Sequence, residues 1–182
     1  HEFKEIIARY RPGSMLYKLR DPLLGPRELP LTVLPLANAD GVIVRAKLNS
    51  PGTPARLVWA FGGANGMNGR RNGDIGCERE PVGKFFQLNP EQCRGNVFTM
   101  DHNSFGLHSK VATLRELASG KASFDIADAR YWNDAKQLLA SCGQPNDLPV
   151  AVGTLALSAH DAVYVSIETK ASNEKDAGEI PF

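Results

Sequence analysis

Residues 41–48 read GVIVRAKL, a stretch in which apolar side chains occupy every second position. These apolar side chains would share one face of an extended chain, and Arg45 and Lys47 would point to the opposite face. Residues 14–20 (SMLYKLR) and 162–170 (AVYVSIETK) show the same alternation. The pattern is typical of strands in antiparallel sheets that bury one face. The three stretches therefore predict an antiparallel sheet lying on a core.

Further strands are predicted along most of the chain. They span Lys4–Tyr10, Leu29–Leu36, Ala55–Phe61, Lys84–Leu88, Asn96–Met100, Ser104–Leu107, Lys110–Leu117 and Val150–Leu157. Turn-forming Pro, Gly, Asn and Asp residues separate them. About ten short strands with turns at this spacing are typical of a β-sandwich or barrel. The sequence therefore predicts an all-β fold, an antiparallel β-sandwich.

One segment breaks the alternation and predicts a short helix over residues 133–141. Its apolar side chains recur at helical spacing, as Trp132, Ala135, Leu138 and Leu139. We expect Asn133 to be the N-cap, with Asp134 next to the positive end of the helix dipole. Gly143 suits the left-handed position that follows a helix.

Composition and charge narrow the class of protein. The chain has 182 residues, of which 42% are hydrophobic and 23% are charged, with a net charge of +1. We expect one sandwich domain over residues 1–170 and a polar tail over 171–182. The sequence has no basic stripe that would predict nucleic-acid binding. It also has no apolar run that would predict a membrane span. The chain shows no signal peptide, and because it does not begin with Met we expect it to be part of a longer protein.

The segment after Phe61 is the candidate functional loop. Residues 62–83 are rich in Gly, Asn and charged residues, and long loops of this kind are often functional. The candidate ligand-binding residues are Asn65, Arg70, Arg71, Asp74 and Glu78. Asp74, Glu78 and Glu80 could provide a pair of acid and base carboxylates, but carboxylates in a polar loop are more often solvated. The loop lacks a phosphate-binding motif, and a mobile loop with no role is the alternative.

The cysteines and histidines form no recognisable site. The chain has an odd number of cysteines, Cys77, Cys93 and Cys142. We expect three reduced thiols rather than a disulfide bridge between Cys77 and Cys93. His102 and His108, with Asp101, do not match the usual ligand spacing of zinc sites. We therefore predict no metal, no cofactor and no catalytic residue in this chain.

Three aromatic residues could stack on a sugar ring: Trp59, Tyr131 and Trp132. Trp59 and Trp132 fall at apolar periodic positions, so a place in the core is favoured for both.

Several motifs carry a resemblance to a known family. They are YRPGSMLY (10–17), DPLLG (21–25), WAFGGA (59–64), GDIGCE (73–78), LNPEQC (88–93) and DARYW (128–132). With these motifs, spread over residues 6–170, the chain resembles the β-sandwich region of uncharacterised glycoside-hydrolase-like proteins of Bacteroidetes type. In those proteins a sandwich precedes an (α/α)6 barrel.

The resemblance implies a galactose-mutarotase-like supersandwich, with catalytic carboxylates on the barrel rather than on this chain. It also implies an exported, periplasmic or extracellular protein. A sandwich loop would reach the active site of the barrel, and residues 62–83 are the candidate. The chain departs from the family pattern because it starts inside the sandwich and stops before any helical repeat, so the sandwich could be incomplete.

Three functions are compatible with this sequence. The first is an accessory sandwich module of a carbohydrate-active enzyme, packed on an (α/α)6 catalytic domain and contributing the loop to a sugar site. The second is a free-standing, lectin-like carbohydrate-binding sandwich. The third is a small mutarotase-like or lyase-like enzyme that uses Asp74 or Glu78. An exposed apolar patch would favour the first, an aromatic groove the second, and two convergent carboxyls with raised pKa values the third.

Overall fold

A computed structural model describes residues 3–62, 89–109 and 112–169. Its strands are β1 (Glu5–Arg11), β2 (Ser14–Arg20), β3 (Glu28–Pro35), β4 (Gly41–Ala46), β5 (Ala55–Phe61), β6 (Val97–Met100), β7 (Ser104–His108), β8 (Thr113–Ala118), β9 (Ser123–Asp128), β10 (Pro149–Leu157) and β11 (Val163–Thr169). One α-helix, α1 (Ala135–Ala140), lies between β9 and β10. Within these residues the protein is mostly β, as the sequence predicts.

The strands form two antiparallel sheets of unequal size. The large sheet has eight strands in the order β1-β2-β3-β4-β11-β8-β7-β6, and the small sheet has three in the order β5-β10-β9. The alternation in residues 41–48 places Ala46 in the core, where it is 1% exposed. Arg45 lies on the opposite face, since successive side chains of a strand alternate between faces.

The two sheets pack face to face through two apolar clusters. At one end, Leu19, Leu29 and Ala46 of the large sheet pack with Leu57 and Leu157 of the small sheet. The other cluster joins the two sheets through aromatic rings, including Phe61, Phe98, Phe105 and Phe124. The antiparallel sandwich is therefore confirmed.

A third layer covers the outer face of the small sheet. Val150 and Val152 of β10 pack there with Leu138 of α1, and Cys93 and the partly buried Trp132 complete the cluster. The small sheet is thus buried on both faces. This explains why residues 149–157 are almost continuously apolar instead of alternating with polar side chains.

Two sequence predictions need correction here. Asn133 is not the N-cap of the helix, because the Asp134 carboxylate accepts hydrogen bonds from the backbone N–H groups of Lys136 and Gln137. The strand β9 was not predicted, because SFDIAD has only two large apolar residues and is followed directly by a helical turn. The predicted strand Lys84–Leu88 and the predicted tail 171–182 lie outside the described residues.

Candidate functional site

The five predicted ligand-binding residues lie outside the part of the chain that the structure describes. They are Asn65, Arg70, Arg71, Asp74 and Glu78, and Cys77 and Glu80 belong to the same segment. Their role as sugar contacts stays a prediction from sequence. The described residues contain three other features with the exposure or the chemistry of a functional site.

The first feature is a row of apolar side chains on the face of the large sheet that is turned toward the small sheet. Tyr10 lies opposite Met15, Met15 opposite Val33, and Val33 opposite Val44. Val42 lies on the same face, two residues before Val44. We call these five residues the apolar stripe.

The apolar stripe is open to solvent at its ends. Tyr10 is 74% exposed and Val42 is 40% exposed, while Met15, Val33 and Val44 are half-buried. Beyond Val44 the row continues to Val165, which is buried in the core. None of the five stripe residues belongs to the core clusters of the described structure.

The second feature is a carboxyl group inside the core between the sheets. Glu116 of β8 is completely buried, and its cross-strand neighbours are Phe105 and Ile167. Its Oε1 accepts a hydrogen bond of 2.7 Å from Trp59 Nε1. Its Oε2 has no hydrogen-bond partner in the described structure. Burial raises the pKa of Glu116 to about 7, and the Trp59 hydrogen bond opposes that rise.

Trp59 is held in place by the small sheet. Its indole lies over Gly153 of β10, where a Cβ atom would come within 2.2 Å of the ring. The ring also meets Phe124 edge to face, with centroids 5.8 Å apart. Glu116 is completely buried, so it cannot touch a substrate. Trp59 packs on Phe124 between the sheets and Trp132 packs against the outer cluster, which confirms the core positions predicted for both tryptophans.

The third feature is a pocket of about 400 Å³ beside α1. Its polar lining consists of Asp128, Tyr131, Gln137, Ser141, Gln144 and Asn146. Tyr131 is 41% exposed, unlike the two tryptophans. Asn146 donates its amide to the carbonyl of Gln144, but its Oδ1 is buried and has no hydrogen-bond partner among the described residues.

A chain of ion pairs holds the walls of this pocket. Arg130 pairs with Asp128 at 2.7 Å and also with Asp147. Arg94 links Asp147, at 2.8 Å, to the helical turn at Pro90–Cys93. The two guanidinium groups lower the pKa of Asp147 to about 2, with Arg130 contributing most. Asp147 is therefore ionised at neutral pH and paired with both guanidinium groups.

A larger cleft of about 780 Å³, lined by charged residues at the start of the chain, is a weaker candidate. Arg20 in this cleft is paired with Glu5 and Glu28. Arg27 uses its donors on the Leu24 carbonyl and on two oxygens of Thr53. These groups satisfy one another and stabilise the turn between β2 and β3.

The described cysteines and histidines lie in different environments. Cys93 is a buried thiol of the outer core, and Cys142 is a half-buried thiol. Across residues 3–62, 89–109 and 112–169, no three His, Cys, Asp or Glu side chains form a group that could hold a metal ion. His102 is fully exposed and contacts Asp101, and His108 bonds to Thr113.

One known protein family matches nearly the whole chain. The model of a domain of unknown function, DUF4450, matches residues 1–180. The chain belongs to the DUF4450 family. The DUF4450 match includes both sheets, α1 and residues 62–83, the Gly/Asn-rich segment. No curated protein matches the sequence.

Membership of DUF4450 assigns no activity to any of the three features. In the described part of this DUF4450 chain, no helix has the length and apolar character that a membrane crossing requires.

Proposed function

We propose that this protein is an accessory β-sandwich module of a carbohydrate-active enzyme. It packs on a helical catalytic domain, an (α/α)6 barrel of the parent chain, and contributes the Gly/Asn-rich segment 62–83 to a sugar site. The observation that carries the proposal is the apolar stripe, because it is a row of apolar side chains in which Tyr10 and Val42 are exposed to solvent.

The apolar stripe has the properties of an interface. Soluble monomers rarely leave large contiguous apolar patches exposed, and such patches commonly mark contact surfaces. Tyrosine is enriched in interfaces because its large ring is rigid and its hydroxyl tolerates water. Tyr10 is the most exposed residue of the stripe, at 74%. A second domain seated here would cover Tyr10 and Val42 without any rearrangement of the sheet.

The sugar-binding part of the proposal is supported by residue chemistry and by the resemblance. Asn65, Asp74 and Glu78 carry groups that bond to hydroxyls, and Arg70 and Arg71 present planar forks that suit a carboxylate of an acidic sugar. The glycines of this segment have no side chain to keep a ligand away from the backbone. These residues lie outside the described structure, so this part of the proposal depends on the sequence.

The experiment uses the helical domain of the same reading frame, produced separately. Binding of this chain to that domain is measured by calorimetry, with wild type and with Tyr10→Ser and Val42→Lys. We expect each substitution to weaken binding at least about tenfold, since each one removes an exposed apolar side chain that the helical domain would cover. Leu23→Ser is the matched control, because Leu23 is 77% exposed but lies outside the stripe.

Unchanged affinity in both stripe variants would contradict the proposal. A reading frame that encodes no helical domain would contradict it as well. Thermal unfolding of the isolated variants shows whether they remain folded, and we expect them to, because both side chains are exposed.

A further inference from the structure

We infer that the pocket beside α1 binds a neutral, hydroxyl-rich ring, such as one saccharide unit of a glycan. The inference deepens the proposed function, because it takes a carbohydrate role as given and places a sugar contact outside the segment 62–83. The pocket is lined by residues of the turn after β9, of α1 and of the loop before β10.

The first argument is the chemistry of the lining. A saccharide ring presents C–H groups on its faces and hydroxyl groups around its edge. The partly exposed ring of Tyr131 offers a flat apolar surface to such a face. Gln137 and Gln144 are exposed side-chain amides, each of which can donate to one hydroxyl and accept from another.

The second argument is the buried acceptor. Asn146 Oδ1 has no hydrogen-bond partner within the described residues, although buried amide oxygens almost always have one. A ligand hydroxyl is a donor that would satisfy this oxygen, and Asn146 is one of the residues that line the pocket. Ser141 is not available for this role, because its hydroxyl donates to Leu138 and accepts from the Asp128 N–H.

The third argument is charge. Among the described residues of the lining, Asp128 is the only carboxylate, and Arg130 already pairs with it. The same described residues include no Lys or Arg side chain that could bind a phosphate or a carboxylate ligand. A neutral ligand fits this balance, and the volume of about 400 Å³ is sufficient for one or two sugar rings.

The fourth argument is rigidity. Arg130 and Arg94 both bind Asp147, which neighbours Asn146 in the chain. The Asp134 carboxylate fixes the first turn of α1 and also accepts a hydrogen bond from the Gln137 amide. Walls held in this way lose little conformational freedom when a ligand binds, which favours affinity.

The test is an NMR titration of the chain with D-galactose, D-glucose, N-acetyl-D-glucosamine, maltose and cellobiose. We expect at least one of these sugars to shift backbone signals at residues 131, 137 and 140–146. Tyr131→Ala and Asn146→Ala should each weaken binding of that sugar at least about tenfold. Tyr131→Phe keeps the ring and should retain most of the affinity.

Leu23→Ala is the control, since Leu23 is 77% exposed and lies in the helical turn after β2, outside both the pocket and the apolar stripe, and its affinity should equal that of wild type. Shifts confined to other residues, no shift with any of the five sugars, or wild-type affinity in folded Tyr131→Ala and Asn146→Ala would overturn the inference. Those results would leave binding of the helical domain to the apolar stripe unaffected. If the chain binds a sugar and its reading frame encodes no helical domain, the result would instead favour the free-standing lectin-like alternative.

Discussion

Glu116 is a carboxyl group buried between the two sheets, beside Trp59, Phe105 and Ile167. One oxygen accepts from Trp59, and the other has no partner in the described structure. The ionised form is therefore poorly solvated, and burial raises the pKa of Glu116 from 4.5 to about 7. The protonated form is the one that the folded core tolerates.

The pH dependence of stability follows from this shift. Between pH 4.5 and about 7 the folded protein holds a proton on Glu116 that the unfolded chain has lost. The contribution of Glu116 to stability is therefore greatest below that window and decreases as pH rises through it, by about 3 kcal/mol. Urea unfolding at a series of pH values measures the decrease. Glu116→Gln should remove it and should be more stable than wild type at pH 8.

Trp59→Phe provides the matched comparison for this prediction. The indole N–H lowers the pKa of Glu116, so its removal should raise that pKa further and extend the decline in stability to higher pH. If Glu116→Gln and wild type share one pH curve, the carboxyl does not titrate as described.

Gly153 is the residue that makes room for Trp59. An alanine Cβ at this position would lie 2.2 Å from the indole ring, which Glu116 and Phe124 hold in place. We expect Gly153→Ala to lower the free energy of unfolding by about 3 kcal/mol, the cost of overpacking a core. Chemical denaturation measures it. The cost should shrink in a Trp59→Leu background, and an equal cost in both backgrounds would show that the clash is not with the indole.

The single helix depends on one cap. Asp134 accepts from the N–H groups of Lys136 and Gln137, and these bonds hold its pKa below the usual value. Asp134→Ala should lower the melting temperature by about 3 °C. Asn133→Ala leaves this cap in place and should have a smaller effect. Calorimetry of the two variants decides between the cap in the structure and the one predicted from sequence, and a larger loss for Asn133→Ala would contradict the structure.

Strands with one buried face were predictable from the sequence. The strand β9 and the start of α1 were harder to predict. The alternation in residues 14–20 and 41–48 reflects one core face, so it appears directly in the sequence. The strand β9 has too few apolar residues to show the pattern. Adjacent Asn133 and Asp134 are both good caps, and sequence alone could not rank them.

The candidate sites were predictable to a smaller degree. Leu114, Glu116 and Ala118 alternate on one face of β8, so a charged residue on a buried face could have been noticed in the sequence. Asn146 gives no such signal, because its environment depends on contacts between the turn after β9 and the loop before β10. The role of residues 62–83 in sugar binding stays a prediction.

The whole molecule is an unequal sandwich. A three-stranded sheet packs on an eight-stranded sheet, and the residues of the apolar stripe belong to none of the core clusters between them. In the proposed enzyme a helical domain covers the apolar stripe, and the small sheet and the helical domain would share one face of the large sheet. The pocket beside α1 lies on the outer side of the small sheet and would stay open.

Covalent footprinting of exposed side chains tests this arrangement most directly. The isolated chain and the full parent protein are labelled in parallel, and the labelling rates of Tyr10 and Leu23 are compared. Both are more than 70% exposed here, at 74% and 77%, but only Tyr10 belongs to the stripe. The account predicts that labelling of Tyr10 falls about fivefold or more in the full protein, while Leu23 is unchanged. Equal labelling of Tyr10 in both proteins would contradict it.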